Sequence, residues 1–424
     1  MSTLQPLMQF APVQRTLANG LTVLLEPLPY LRSATAGIWI KTGSARETEA
    51  QAGISHFLEH LFFKGTTTRT ARQLMEAIES RGGHLNAFTS RDYTCIYAKS
   101  LGEHIGNAVE ILADILRNSQ FFDFDKEKNV VLEEIATIED VPEDFVHDVF
   151  YARLWPEHPL GRPIAGTEES VSATTLEDVR TYYRSWYEPS SMILSVSGSF
   201  DEDELLALIE REFSGMAAAE PPRDTTPAHS RPALELIDRE IAQHHLCFGF
   251  PAPKATDEKR YVYSMLSSVL GGGSTSRLFD RIREEAGLAY SIYSFHSTYD
   301  VAGVLGVYAA VAPENLEQAV NLSTAEIVKL RNELIPAEEL ALNREQLKGG
   351  LLMSLESTYS RMSRMAKSYI YFGRVTPVEE IVAAVEAVTE EDIRQAAHEV
   401  FHPERCTFVS LGPTEGIKLE TLAL

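Results

Sequence analysis

The chain has 424 residues, of which 44% are hydrophobic and 23% charged, and this balance excludes both a disordered chain and a membrane-embedded one. Its 61 acidic residues outnumber its 38 basic residues, and the net charge of −23 argues against binding to nucleic acid or anionic lipid. No apolar run reaches the roughly 20 residues that a helix needs to cross a bilayer, and the length suits two domains.

The cysteine content and the first residues bear on the compartment. Cys95, Cys247 and Cys406 lie far apart, each in an apolar run, which predicts buried thiols on strands and no disulfide framework. The first residues, MSTLQPLMQFAPVQ, lack the features of a secretory signal or a transit peptide. We therefore expect a cytoplasmic protein.

The first predicted elements are a hairpin, a strand and a helix. Asn19-Gly20 is a typical hairpin turn within LANGLTVLLEPL, and residues 33–42 continue as a strand. The helix that follows carries the motif HFLEH, His56 to His60. It is expected to end at Gly65, because glycine is favoured just after a helix C-terminus.

The next segments alternate irregularly between helix and strand patterns, which indicates an α+β architecture. Helical spacing and capping residues predict helices over 71–81 and 103–117, and from 125 to a stop before Pro142; strand patterns cover 84–100 and 192–197.

The chain is predicted to be a duplication. The stretch 214–232, SGMAAAEPPRDTTPAHSRP, has no periodicity and is typical of a linker. On either side of it, a Gly-containing helix–turn segment leads into a strand and an amphipathic helix. We predict two homologous α+β sandwich domains, each an antiparallel-rich sheet with helices packed on it: residues 1–215 and 233–424, joined by a linker at 216–232. Only the first contains HFLEH.

The spacing of HFLEH favours a metal site. Residues four apart lie on one helix face, so His56 and His60 can both bind one ion, with Glu59 beside them. A catalytic zinc also needs a third protein ligand and an open position for water. The alternative is an amphipathic helix whose His and Glu side chains are simply solvated.

The third ligand is expected on the helix that follows Asp125. This helix offers four glutamates, Glu127, Glu133, Glu134 and Glu139. Glu127 and Glu134 are seven residues apart and share a face. Spacing alone leaves the choice between Glu133 and Glu134 open.

Further motifs accompany HFLEH, which is an instance of HxxEH, the inverse of the HExxH zinc signature. FFKGT, GGHLNAFTSRDYT, EKNVVLEEI and HPLGRPIAGTEES follow in this order. With these motifs the chain resembles the pitrilysin-like zinc peptidases, or inverzincins, and within them the short-chain bacterial branch related to the catalytic subunit of the mitochondrial processing peptidase. The resemblance covers nearly the whole chain, including the duplication.

The resemblance implies roles for further residues. The family's third zinc ligand belongs to an E-x6-E pair, which Glu127 and Glu134 match, so Glu134 is the expected ligand and Glu127 an accessory acidic residue. The family's second domain contributes an arginine and a tyrosine seven residues apart, and REEAGLAY supplies Arg283 and Tyr290. Without the resemblance, these two would be read as a salt bridge and a core aromatic.

The expected activity is that of a zinc metalloendopeptidase with one Zn²⁺ per chain. Glu59 would take the proton of a zinc-bound water, and Arg283 or Tyr290 would stabilise the charge on the carbonyl oxygen. GGHLNAFTS resembles the family's edge strand that pairs with substrate, which makes Asn86 and Ala87 candidate substrate-binding residues. An ordinary sheet strand is the alternative for these two side chains.

The expected partners are short, extended or unstructured peptides, with a preference for basic ones because the chain is acidic. The resemblance implies a homodimer in which the zinc of one chain faces Arg283 and Tyr290 of the other. A heterodimer with an inactive relative is the alternative.

Two other functions compete with general peptide turnover. The first is a catalytically silent structural subunit of the same fold, which the presence of all the motif residues disfavours. The second is a specialised subunit that processes a peptide precursor. His244 and His245 are read as structural, because neighbours in a strand point to opposite faces.

Overall fold

The structure is a computed structural model that describes residues 12–217, 226–415 and 417. The strands β1 to β11 are Val13–Thr16, Thr22–Pro27, Ser33–Ile40, His84–Thr89, Thr94–Leu101, Met192–Gly198, Ala233–Asp238, His244–Ala252, Ala289–Thr298, Gly303–Val311 and Thr407–Gly412. The helices α1 to α14 are Ile54–Phe62, Ala71–Glu79, Ile105–Asn118, Phe124–Asp140, Pro142–Leu154, Glu168–Ala173, Leu176–Trp186, Glu202–Phe213, Arg260–Gly271, Leu316–Asn332, Ala337–Ser354, Thr358–Phe372, Val378–Ala387 and Glu390–Val400.

The described residues form two compact units that are not contiguous in sequence. The first consists of residues 12–135, 164–217 and 353–376, and the second of 136–163, 226–352, 377–415 and 417. Each unit is one sheet with helices packed against it.

Five strands of the first sheet and the five strands of the second have equivalent topologies, and the first sheet has β1 as an additional edge strand. The first has the order β1-β2-β6-β3-β5-β4, and the second has the order β7-β11-β8-β10-β9. In both, the last strand in sequence pairs in parallel with an early strand, β6 with β2 and β11 with β7, and all other pairs are antiparallel. The predicted fold class, two homologous antiparallel-rich α+β domains, is therefore confirmed.

Each unit takes one helix from the other half of the sequence. Helix α12 packs on strands β3 and β6 of the first sheet, where Nε1 of Trp39 lies 3.1 Å from Sδ of Met362. The guanidinium of Arg361 is 2.9 Å from the carboxylate of Glu26, a buried ion pair that ties α12 to the same sheet. In the second unit, α5 packs on β8 and β11.

This exchange of helices is a tertiary feature that the repeat pattern does not encode. The contiguous division at 1–215, 216–232 and 233–424 remains a prediction about the duplicated sequence units, and residues 218–225 of its linker lie outside the described residues.

Several local predictions match the observed elements. Gly20 in the first hairpin has a φ of 95°, in the left-handed region that glycine adopts without strain. The side chain of Thr70 caps α2 by accepting from the backbone N–H of Gln73. All three cysteines are buried and free; Cys95 and Cys247 lie on β5 and β8 as predicted, whereas Cys406 lies just before β11, at the end of a 3-10 turn. Within the described ranges, no helix combines the length and apolar character needed to cross a membrane.

Candidate metal centre

Helix α1 presents the motif HFLEH on a packed scaffold. Its apolar residues Phe57, Leu58, Leu61 and Phe62 are buried in the first unit. The side chains of His56 and His60 remain 13% and 21% exposed. The helix is therefore fixed by its apolar face, while the face that bears the histidines borders solvent.

The start of α1 is held by a buried carboxylate. The two oxygens of Glu47 accept hydrogen bonds from the backbone N–H groups of Gly53 and Ser55, both at 2.8 Å. A negative charge at this end also interacts favourably with the helix dipole. Gly53 has a φ of 89°, and a Cβ there would lie 2.4 Å from the carbonyl oxygen of Ala165. The HPLGRPIAGTEES motif thus packs against the start of α1.

Helix α4 brings a carboxylate to the two histidines. Oε1 of Glu134 lies 3.6 Å from Nε2 of His56, and its Oε2 lies 3.3 Å from Nε2 of His60. Ligand atoms of these three residues all lie within 4.8 Å of one another. Of the two glutamates that spacing left open, Glu134 is in this cluster, whereas Glu133 is exposed and outside it.

The donor set fits a zinc ion. Atoms that bind zinc at 2.0–2.1 Å in a tetrahedron are about 3.3–3.4 Å apart, close to the distances from Glu134 to the two imidazoles. Two histidines and one carboxylate are also a ligand set found in catalytic zinc sites, where water takes the fourth position. His56, His60 and Glu134 are therefore the residues that would hold the metal.

Glu127 lies behind the cluster on α4, seven residues or about two turns before Glu134. Its carboxylate is 4% exposed; Oε2 is 3.5 Å from Nδ1 of His60, and Oε1 is 2.7 Å from Nζ of Lys64. A carboxylate at Nδ1 favours the imidazole tautomer whose Nε2 lone pair is free for a metal. Glu127 is thus placed to orient His60, and its other oxygen is paired with Lys64.

Burial keeps His56 neutral. The pKa of its imidazole is lowered to about 4, first by burial and then by His60, while Glu134 acts in the opposite direction. Its buried Nδ1 has no hydrogen-bond partner among the described residues. A neutral imidazole at neutral pH is the form that binds a metal ion.

Glu59 has a different environment from the ligand carboxylate. Burial raises the pKa of Glu59 to about 7; the hydroxyl of Thr89 lowers it and the charge of Glu134 raises it further. Oγ1 of Thr89 donates to Oε2 of Glu59 at 2.6 Å. A carboxyl group with a pKa near neutrality can both accept and release a proton at physiological pH.

Strand β4 is an edge of the first sheet and contains both candidate substrate-binding residues. It pairs with β5 on one side, and no other described strand pairs with it. Asn86 is exposed and its Oδ1 accepts from the backbone N–H of Ala87 at 2.9 Å, whereas the side chain of Ala87 is 8% exposed. Thr89, at the end of this strand, connects it to Glu59.

Arg283 and Tyr290 lie together in the second unit. The guanidinium carbon of Arg283 is 4.8 Å from the centre of the Tyr290 ring, and this ring is 79% exposed. Arg283 belongs to a π-helical turn, Phe279–Glu285, and Tyr290 is the extra residue of a β-bulge in β9 between Ala289 and Ser291. Both irregularities occur often at functional sites, because they redirect side chains.

Three supporting residues were not identified from the sequence: Glu47, Lys64 and Thr89. Lys64 is the lysine of FFKGT and Thr89 belongs to GGHLNAFTS, so both lie in motifs that were noted. Their contacts join separate elements, and periodicity carries no signal for such contacts.

The adjacent residues His244 and His245 of β8 each have a hydrogen-bond partner in the second unit. Nδ1 of His244 is 2.9 Å from Oγ of Ser410, and Nδ1 of His245 is 2.8 Å from the hydroxyl of Tyr308. The two imidazoles therefore have separate hydrogen-bond partners within the second unit.

Family models match two successive parts of the chain. Residues 22–168 match the model described as "Insulinase (Peptidase family M16)", and residues 173–347 match that described as "Peptidase M16 inactive domain". The first match contains HFLEH, Glu127 and Glu134, and the second contains Arg283 and Tyr290.

Curated relatives align over nearly the full length. "Uncharacterized zinc protease YmxG" of Bacillus subtilis is 40% identical over 394 residues, which is 91% of this chain and 95% of the relative. "Uncharacterized zinc protease ML0855" of Mycobacterium leprae is 38% identical over 405 residues, which is 94% of this chain and 91% of the relative. The chain therefore belongs to peptidase family M16, which confirms the resemblance to the pitrilysin-like peptidases.

Solved structures support the fold. A protease from Helicobacter pylori superposes with a TM-score of 0.88 at 22% identity, covering 95% of this chain and 99% of that one. A peptidase M16 inactive domain from Pseudomonas fluorescens superposes with a TM-score of 0.89 at 17% identity, covering 96% of this chain and 99% of that one.

Proposed function

We propose that this protein is a zinc-dependent endopeptidase. The observation that carries the proposal is the convergence of His56, His60 and Glu134 at distances suited to one zinc ion, with Glu59 on the same helix as the histidines. Membership of a peptidase family and relatives named zinc proteases support the same activity.

The reaction needs three contributions from the site. Zinc held by the three ligands supplies a Lewis acid that polarises the scissile carbonyl and acidifies water. Glu59 accepts a proton from the attacking water while the water oxygen bonds to the carbonyl carbon. The same carboxyl then delivers that proton to the nitrogen as the C–N bond breaks, leaving a carboxylic acid and an amine.

The substrate is an extended peptide that pairs with the free edge of β4. An edge strand offers unpaired backbone groups, so binding depends mainly on the peptide backbone and tolerates many sequences. Asn86 and Ala87 lie in the middle of this strand and would flank the bound peptide. Arg283 and Tyr290 are proposed to hold a substrate carbonyl oxygen or to stabilise its charge.

The preference is for basic peptides, because the net charge of −23 attracts cationic ligands. We expect peptides matched except for Lys and Arg content to differ in kcat/KM at low salt, with the basic peptide cleaved faster. Equal kcat/KM values for the two peptides at low salt would refute the preference for basic peptides without refuting the peptidase activity.

The activity is tested with quenched-fluorescence peptides. Wild type should cleave them, lose activity with a chelator and regain it with added zinc. Glu59→Gln should bind zinc as wild type does and cleave nothing measurable. Activity that survives complete removal of the metal, or full activity of Glu59→Gln, would contradict the proposal.

A non-catalytic role is the second candidate, since residues 173–347 match a domain described as inactive. That match covers the half that lacks HFLEH. A protein that binds zinc poorly and cleaves none of the peptides would favour this second role.

A further inference from the structure

Thr89 connects two parts of the proposed catalytic site. It is the last residue of the edge strand β4, and its backbone is in register with Thr94 of β5. Its hydroxyl donates to Oε2 of Glu59 at 2.6 Å. Among the described residues, no other hydrogen bond to this carboxylate is observed.

We propose that Thr89 is a positioning residue that holds Glu59 in a fixed place relative to the edge strand. The inference rests on the proposed peptidase function. It assigns Thr89 no direct contact with the reacting atoms: the residue acts through the carboxylate of Glu59.

The geometry explains why such a link is useful. Glutamate has three rotatable side-chain bonds and loses much freedom when it is ordered. One oxygen of Glu59 is bound to Thr89, which leaves Oε1 to accept a proton from water. A peptide paired with β4 has its carbonyl carbons at places fixed by that strand, so tying Glu59 to the strand fixes the distance between base and reaction centre.

Threonine is suited to this position. It is β-branched, which favours a strand and restricts χ1, so that its hydroxyl is held in one direction. Valine has the same shape without the hydroxyl, and serine has the hydroxyl without the second branch. These two substitutions separate hydrogen bonding from packing.

The kinetic test compares zinc-loaded Thr89→Val and Thr89→Ser with wild type. Because small misplacements of a catalytic group are costly, Thr89→Val should lower kcat about 10- to 100-fold, with KM within about twofold and zinc content unchanged. Thr89→Ser should recover most of kcat. Thr35→Val is the matched control, since it removes a buried hydroxyl of β3, in the same sheet, that bonds Thr358 and not Glu59; its kcat should equal that of wild type.

The inference is overturned if Thr89→Val keeps the wild-type kcat, if Thr89→Ser is as impaired as Thr89→Val, or if Thr89→Val loses zinc. Crystal structures give a readout that needs no activity. Glu59 should occupy one rotamer in zinc-loaded wild type and several in Thr89→Val, with β4 unchanged. A wild type that cleaves no peptide would refute the proposed function, and the order of Glu59 would still decide the role of Thr89.

Discussion

At the scale of single residues, two of the carboxylates in the site, those of Glu134 and Glu59, have different environments. The side chain of Glu134 is 42% exposed and faces both imidazoles, whereas burial raises the pKa of Glu59 to about 7. Glu134 is therefore placed to serve as a ligand, and Glu59 to exchange a proton. Different roles for similar side chains follow from burial and neighbours.

This environment predicts a pH dependence. In the proposed mechanism the carboxylate form of Glu59 is the base, so kcat/KM should fall as the pH is lowered through the pKa of this group. Burial raises that pKa to about 7, and a bound cation lowers it, so the midpoint should lie at pH 7 or below. The pH profile of kcat/KM checks this, and an acid limb well above pH 7 would contradict it.

The contact between Lys64 and Glu127 predicts an effect on metal affinity. Lys64→Met leaves the buried Glu127 without its cation, which disturbs the carboxylate that orients His60. We expect zinc affinity to fall about tenfold, as is usual when a group supporting a metal ligand is removed. Competition with a chelating dye measures this. Lys126→Met, an exposed change on the same helix as Glu127, is the control, and equal affinities of the two variants would refute the role of Lys64.

At the scale of elements, α1 depends on its first turn. Glu47 satisfies two backbone N–H groups that the helix leaves unpaired. Glu47→Gln keeps one acceptor oxygen and loses the charge, so unfolding free energy should fall by about 1–2 kcal/mol. Urea denaturation measures the change, with the exposed Glu49→Gln as control. Similar stability of both variants would show that the cap contributes little.

The secondary-structure elements also show which features of the fold and site could be predicted from the sequence. The turn at Asn19-Gly20, the cap at Thr70 and helix α4 were predictable because their signals are local. The pair His56 and His60 was visible for the same reason, whereas the choice of Glu134 over Glu133 needed the family resemblance. The links from Glu47 to Gly53 and from Thr89 to Glu59 depend on how separate elements pack. The exchange of α5 and α12 depends on tertiary packing in the same way.

At the scale of the whole molecule, the two units have the same strand order apart from the additional strand β1 of the first, yet only the first contains HFLEH. The second unit instead has Arg283 on a π-helical turn and Tyr290 in a β-bulge. The two units therefore carry different polar groups, which agrees with the proposal that they contribute different groups to catalysis.

This division of roles predicts complementation between chains. We propose a homodimer in which Arg283 and Tyr290 of one chain serve the zinc site of the other. Glu59→Gln and Arg283→Ala should each be nearly inactive, and co-expression should restore about one quarter of wild-type activity, since half of the dimers are mixed and each has one intact site. Differently tagged chains, purified in tandem, isolate the mixed dimer. No recovery in that dimer would refute completion of the site by the second chain.

The most direct test of the account is anomalous diffraction from wild-type crystals at the zinc absorption edge. The account predicts one peak per chain, about 2.0–2.2 Å from Nε2 of His56, Nε2 of His60 and the carboxylate of Glu134. Loss of this peak in His60→Ala crystals would tie the metal to these ligands. Zinc-supplemented crystals with no peak among the three residues, or with a peak bound elsewhere, would contradict the central claim.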